Sequence, residues 1–136
     1  HPKKDIMNRL FSSLFLILFF CFNSFAQYEG ARWYFGEKAG IYFLDKDSTG
    51  RIVIGKNPKS VSGGVLDTEE GCATICNNKG ELLFYTDGIT VWNRHHSVMK
   101  NGTFLKGNPS STSSGVALPG KDGIYYIFTL DDVGGL

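Results

Sequence analysis

The sequence predicts an all-β protein made of small antiparallel meanders. Three observations predict it: short runs of β-branched and aromatic residues, turns rich in Asn, Asp and Gly between them, and no segment with a helical period. The clearest unit is residues 71–94, GCATICNNKGELLFYTDGITVWNR. Residues 72–76 form a short apolar run closed by Asn77, Asn78, Lys79 and Gly80, residues suited to a turn. Residues 81–86 carry Leu82, Leu83, Phe84 and Tyr85 in succession, the pattern of a strand covered on both faces. Asp87-Gly88 then suits a two-residue type I′ turn with positive φ at both positions. Residues 89–92 alternate, with Ile89 and Val91 opposite Thr90 and Trp92, and the strand ends at Asn93 and Arg94. Such a ribbon is marginal alone in water and needs neighbours.

The rest of the chain is read in order. Residues 33–36, WYFG, are an aromatic cluster stopped by glycine, and residues 41–44 form a strand. Residues 45–51, DKDSTGR, turn it back into 52–54 as hairpin partner. Residues 55–70 have the Gly, Ser, Lys and Pro content of a surface connection, anchored by Val65 and Leu66. Beyond the central unit, Val98 and Met99 make a short outer strand, and residues 109–115, PSSTSSG, a polar linker. Residues 116–118 and 124–130 form a last hairpin around a turn at 119–123.

Not all 136 residues belong to the domain. Residues 7–26 combine basic Arg9, a Phe- and Leu-rich core, and small Ser24 and Ala26 before Gln27. That is the organisation of a signal peptide cleaved between Ala26 and Gln27, shorter than a persuasive membrane anchor. Residues 1–6 precede the natural start at Met7 and read as an upstream extension. Cys21 is not a lipidation site, because Phe19 and Phe20 stand where that processing needs small residues. Without the first 26 residues the basic count falls from 14 to 11 and the acidic count from 13 to 12, a net charge of about −1. With no Lys/Arg block, the domain offers no footprint for nucleic acid or an anionic membrane.

The domain also repeats. Residues 71–73 align with 115–117 at an offset of 44, and 84–86 with 127–129 at 43. A period in the low forties with several short strands per copy is that of β-propeller blades. The fold class is therefore an incomplete β-propeller-like array of antiparallel meander blades over residues 27–136, about two blades and part of a third. On this reading further blades follow in a longer chain.

Several blocks together, WYFG at 33–36, EGCATI at 70–75, GELLFYTDGITVWNR at 80–94, HSVMKNG at 96–102, GNPSSTSS at 107–114 and IYYIFT at 124–129, are similar to one family. The chain resembles the N-terminal propeller-like region of gliding-motility-associated, type IX secretion cell-surface proteins of Gram-negative bacteria. The resemblance implies an exported or cell-surface scaffold that presents a binding or adhesion surface to a protein or glycan. It implies no catalytic residues and no cofactor. The C-terminal sorting domain usual in such proteins is not in this sequence. Two other readings stand beside it: a fragment of a propeller-type glycan-processing enzyme, and a structural spacer.

Trp92, Asn93 and Arg94 are the recognition candidates, an aromatic face beside a charged donor; Trp92 packed between blades is the competing reading. His95 and His96 are adjacent on extended chain, point apart, and read as a solvated loop pair and not a chelate. Asp45, Asp47 and Thr49 lack the spacing of a calcium loop, and Asp87 is explained by its turn. Asn101-Gly102-Thr103 encodes a turn. Cys72 and Cys76 on one regular strand would be roughly 13 Å apart, beyond disulfide reach, and read as buried free thiols.

Overall fold

The computed structural model describes residues 28–131. The predicted extension at 1–6, the signal peptide at 7–26 and its cleavage site at Ala26 and Gln27 lie outside these residues. Eight strands follow in order: β1 Arg32–Phe35, β2 Ala39–Lys46, β3 Ile52–Ser60, β4 Ala73–Cys76, β5 Leu82–Thr86, β6 Val91–Asn93, β7 Gly115–Pro119 and β8 Tyr125–Thr129. A single 3₁₀ turn, Lys121–Gly123, joins the last two. The described residues are all-β, and none of them forms a helix long and apolar enough to cross a membrane.

The strands form three small antiparallel sheets, each taken up consecutively along the chain. Sheet one is β1-β2-β3, sheet two β4-β5-β6 and sheet three β7-β8. The sheets stack through their first strands, β1 against β4 and β4 against β7. Three apolar clusters lie between them. Tyr34 and Leu66 meet Leu82 and Tyr85 between sheets one and two. Ala31, Leu44 and Cys76 form a smaller cluster at the same interface. Ile75, Phe84 and Val91 of sheet two pack on Ala117, Tyr125 and Ile127 of sheet three. Neither ribbon buries enough by itself, so each such contact is what makes the meanders stable.

Three expectations are corrected by this geometry. Residues 55–60 are not a surface connection, because β3 continues through them to pair Ser60 with Ile41 and Lys59 with Tyr42. The register jumps between Tyr42 and Leu44, and the extra β3 residues there include Pro58, whose missing N–H an edge-strand irregularity tolerates. The Asp87-Gly88 turn is not type I′: Gly88 alone has positive φ, +87°, and four residues separate β5 from β6. The Asp87 carboxylate explains it, accepting from the Ile89 and Thr90 amides at 2.8 and 2.7 Å, while the Thr86 hydroxyl oxygen accepts from the Gly88 amide at 2.9 Å.

The hydroxyl-rich segment is likewise not a free linker. Ser114 is wholly buried and its hydroxyl donates to the Asp87 carbonyl at 2.6 Å. The Gly71 amide donates to Ser111, and Leu130 to Ser114. The segment thus ties the start of sheet two to both strands' ends in sheet three. Gly88 is required where it sits, since a Cβ there would fall 2.3 Å from the Ser114 carbonyl oxygen. The Val98 and Met99 segment does return beside β6, through a single bridge between Val98 and Trp92.

Candidate functional site

The densest chemistry in the domain is an aromatic column that crosses from sheet one into sheet two. Tyr34 on β1 stacks on Tyr85 of β5 with ring centroids 4.8 Å apart, and Tyr85 stacks on its cross-strand partner Trp92 at 5.5 Å. Tyr85 is fully buried. Its hydroxyl accepts from the Val65 amide at 3.2 Å and shares a hydrogen bond with His96 Nδ1, 3.0 Å away. His96 also stands edge-on to Tyr34, with centroids 5.5 Å apart. Burial raises the Tyr85 phenol above its ordinary pKa, opposed by the Val65 hydrogen bond.

His96 therefore differs from the sequence expectation of a solvated loop pair. His95 is exposed, but His96 is half-buried against the column. A repeated turn explains why. Asp47 Oδ1 accepts from the amides of Thr49 and Arg51, Asn77 Oδ1 from those of Lys79 and Glu81, and Asn93 Oδ1 from those of His95 and Ser97. The backbones match too, with 47 paired to 51, 77 to 81 and 93 to 97. The fourth position of the first two turns is glycine with positive φ, Gly50 and Gly80, whereas the third places His96 there at φ +61°. A side chain in that region costs on the order of 1 kcal/mol or more. The ring's contacts to Tyr85 and Tyr34 hold it in place against that cost.

The three recognition candidates separate in space and in role. Trp92 is half-buried and spends one ring face on Tyr85. Asn93 has its side-chain oxygen committed to the turn it opens. Arg94 projects from that turn and is exposed. They share a strand end without forming one pocket.

The concave surfaces of the domain include two clefts between its sheets. Where β1, β4 and β7 converge, a cleft of about 370 Å³ is lined by Trp33, Phe35, Cys72, Thr74 and Val116 among others. Its walls are knitted together: the Tyr34 amide donates to Thr74 Oγ1 at 2.9 Å, and the Cys72 thiol and Thr74 hydroxyl both donate to the Tyr34 carbonyl at 3.4 Å. Burial, then the Asp87 charge, raises the Cys72 thiol above its usual range, and burial does the same to Cys76. Both thiols are free. Thiolate, the nucleophilic form, is thus disfavoured at both. A second, larger groove of about 560 Å³ lies between sheets two and three. Among the described residues no three His, Cys, Asp or Glu side chains are grouped to hold a metal ion.

Sequence reasoning missed Tyr34, Tyr85 and His96 as a unit. A signal was present in the spacing: two Asx turns with Gly at the fourth position, and a third with His in its place, mark His96 as held by something other than its backbone. The chain matches no family model, no curated protein and no solved structure.

Proposed function

We propose that this domain is the propeller-like part of an exported surface protein of a Gram-negative bacterium, and that it acts by presenting a binding surface and carries out no catalysis. The observation that carries the reading is the side-by-side placement of β1, β4 and β7. Inner strands of neighbouring propeller blades stand in this relation around a central axis, and consecutive up-and-down meanders are the blades. The resemblance of the 82–94 and 124–129 segments to surface proteins of the type IX secretion class supports the same reading.

The binding surface is the cleft framed by those three strands. Trp33, 54% exposed, and Phe35 supply open aromatic faces at its mouth, as protein and glycan recognition both use. Trp92 serves the scaffold through its stack on Tyr85, and Arg94 adds an exposed cation at the outer end of sheet two.

The test is a glycan array and a surface-protein panel probed with the exported chain and its Trp33→Ala variant. A ligand retained by the parent and weakened at least tenfold by Trp33→Ala supports the reading. Hydrolysis of a glycoside by the purified chain would replace it with an enzymatic one.

A further inference from the structure

The aromatic column has a base at its centre. Tyr34 and Tyr85, 2% and 0% exposed, lie in the apolar cluster between sheets one and two, and half-buried Trp92 packs against that cluster. The Tyr85 and Trp92 rings are nearly parallel, 22° apart, so their π-systems are in direct contact. The Tyr85 oxygen meets the Val65 amide at 3.2 Å and His96 Nδ1 at 3.0 Å. Packing alone would be met by phenylalanine at 85, without a hydroxyl to desolvate. The chain instead holds His96 at φ +61° to bring an imidazole to that hydroxyl, and strain of this kind marks places where a side chain is needed. Gly63 leaves room for the ring, since a Cβ there would stand 3.4 Å from Nε2. Burial raises the Tyr85 phenol above its ordinary pKa, so it stays protonated toward bulk water.

We infer that Trp92, Tyr85 and His96 form a one-electron redox relay, which passes an oxidising hole from Trp92 inward to Tyr85 while the phenol proton moves to His96. The oxidant is a single-electron acceptor such as an oxygen-centred radical or a high-valent metal complex. It takes one electron from the indole and is itself reduced. The indole radical cation then takes an electron from the Tyr85 ring, the Tyr85 O–H bond breaks, and the proton bonds to Nδ1. Trp92 returns to its neutral form, Tyr85 becomes a neutral phenoxyl radical and His96 an imidazolium, so electrons, protons and charge balance. The base decides whether the step occurs. A phenol that has lost an electron is a very strong acid, and in an enclosed site the electron leaves only where the proton has a nearby acceptor. Both hydrogen bonds outlast the step, because the phenoxyl oxygen accepts from the Val65 amide and from the new Nδ1–H. Tyr34, stacked on Tyr85 at 4.8 Å, helps keep water from the radical. This goes beyond the proposed function, and it holds whether or not the β1, β4 and β7 cleft takes a glycan.

The experiment uses the full chain carrying Trp33→Phe, which leaves Trp92 as its one tryptophan. Photogenerated ruthenium(III) tris-bipyridine is the oxidant, and transient absorption with electron paramagnetic resonance separates indole from phenoxyl radicals. The indole signal forms first, and the phenoxyl signal grows as it decays, more slowly in D2O than in water because a proton moves in the same step. Tyr85→Phe removes that phenoxyl phase and lengthens the indole lifetime. His96→Gln, whose amide hydrogen-bonds but takes no proton, slows the phase about a hundredfold, the low end of what a positioned base supplies. Tyr34→Phe keeps the stack and leaves the rate unchanged. Nitrogen-15 shifts of the resting protein find His96 Nδ1 without a proton. Circular dichroism of each variant checks the fold, and the D2O comparison, made on the folded parent, needs none of them. A phenoxyl phase that survives Tyr85→Phe overturns the inference, as does an unchanged rate in His96→Gln, the lack of a D2O effect, or a resting proton on Nδ1. A loss in Tyr34→Phe equal to that in His96→Gln would overturn it too, by showing that any disturbance of the column suffices.

Discussion

Strands β5 and β8 carry nearly the same message, LLFYT and YYIFT, and meet opposite fates. In β5 almost every side chain is buried, Tyr85 against sheet one and Phe84 against sheet three. In β8 burial alternates: Tyr125 and Ile127 face sheet two, while Tyr126 and Phe128 are 53% and 57% exposed. Val116 and Leu118 lie directly opposite Phe128 and Tyr126 on β7, so the open face is continuous. At the offset of 43 that relates the two strands, Tyr85 corresponds to Phe128. One is the most enclosed large residue in the domain and the other faces outward. An apolar run thus states how many faces a strand is able to bury, and only the neighbours decide how many it does.

The widest gap between these strands is energetic. Tyr85→Ala removes a fully enclosed ring stacked on two others and costs about 3–5 kcal/mol, whereas Phe128→Ala changes stability by about 0.5 kcal/mol, in line with a side chain mostly in solvent. Urea midpoints at unchanged m-value measure both. A Phe128→Ala loss as large as that of Tyr85→Ala would mean the outer face of sheet three is covered after all.

A smaller effect tests how the column is held. His96→Ala loses the hydrogen-bond partner of the Tyr85 hydroxyl and keeps the backbone strain, while His96→Gly loses the same contacts and relieves the strain. His96→Ala is therefore the less stable by about 1 kcal/mol, although both fall below the parent. Thermal unfolding of the three proteins gives the order.

The smallest effect contrasts two matching turns. Asp47, held by the Thr49 hydroxyl and then by the Thr49 and Arg51 amides, has its carboxyl pKa lowered below the ordinary aspartate value. Its contribution is present above that value and is lost as pH falls through the lower folded-state pKa. Asn77 makes the same bonds with an amide that does not titrate. Acidification from neutral to about pH 2 accordingly shifts the Thr49 and Arg51 amide resonances, leaving that of Lys79 little changed. Proton spectra across the titration decide it, and equal loss in both turns would show global unfolding instead.

Much of the fold was legible because its signals are local. Asn77 through Gly80 and Asp47 through Gly50 specify their turns by side-chain oxygens that reach two and four residues on, and the strands between them follow from alternation. The 55–60 stretch was misread because its Lys, Asn and Pro content is that of a loop, and its pairing depends on β2 being long enough to hold it. Ser114 was misread for the same kind of reason. A serine among serines carries no mark of burial until the Asp87 carbonyl is brought to its hydroxyl across 27 residues.

The candidate sites were less legible. Trp92 was visible as an aromatic at a strand end, but its partners Tyr85 and Tyr34 come from another strand and another sheet. His96 was visible only as one of an adjacent pair.

By itself the sequence determined the all-β class, the turn chemistry and the alternation along each strand, because these depend on residues within one hairpin. The tertiary structure alone decided which apolar faces meet, that Tyr85 is enclosed and Phe128 open, and that a groove lies between sheets two and three. The enclosure of Tyr85 and the exposure of Phe128 depend on which sheet stands beside which, and no contact within a single ribbon encodes that placement.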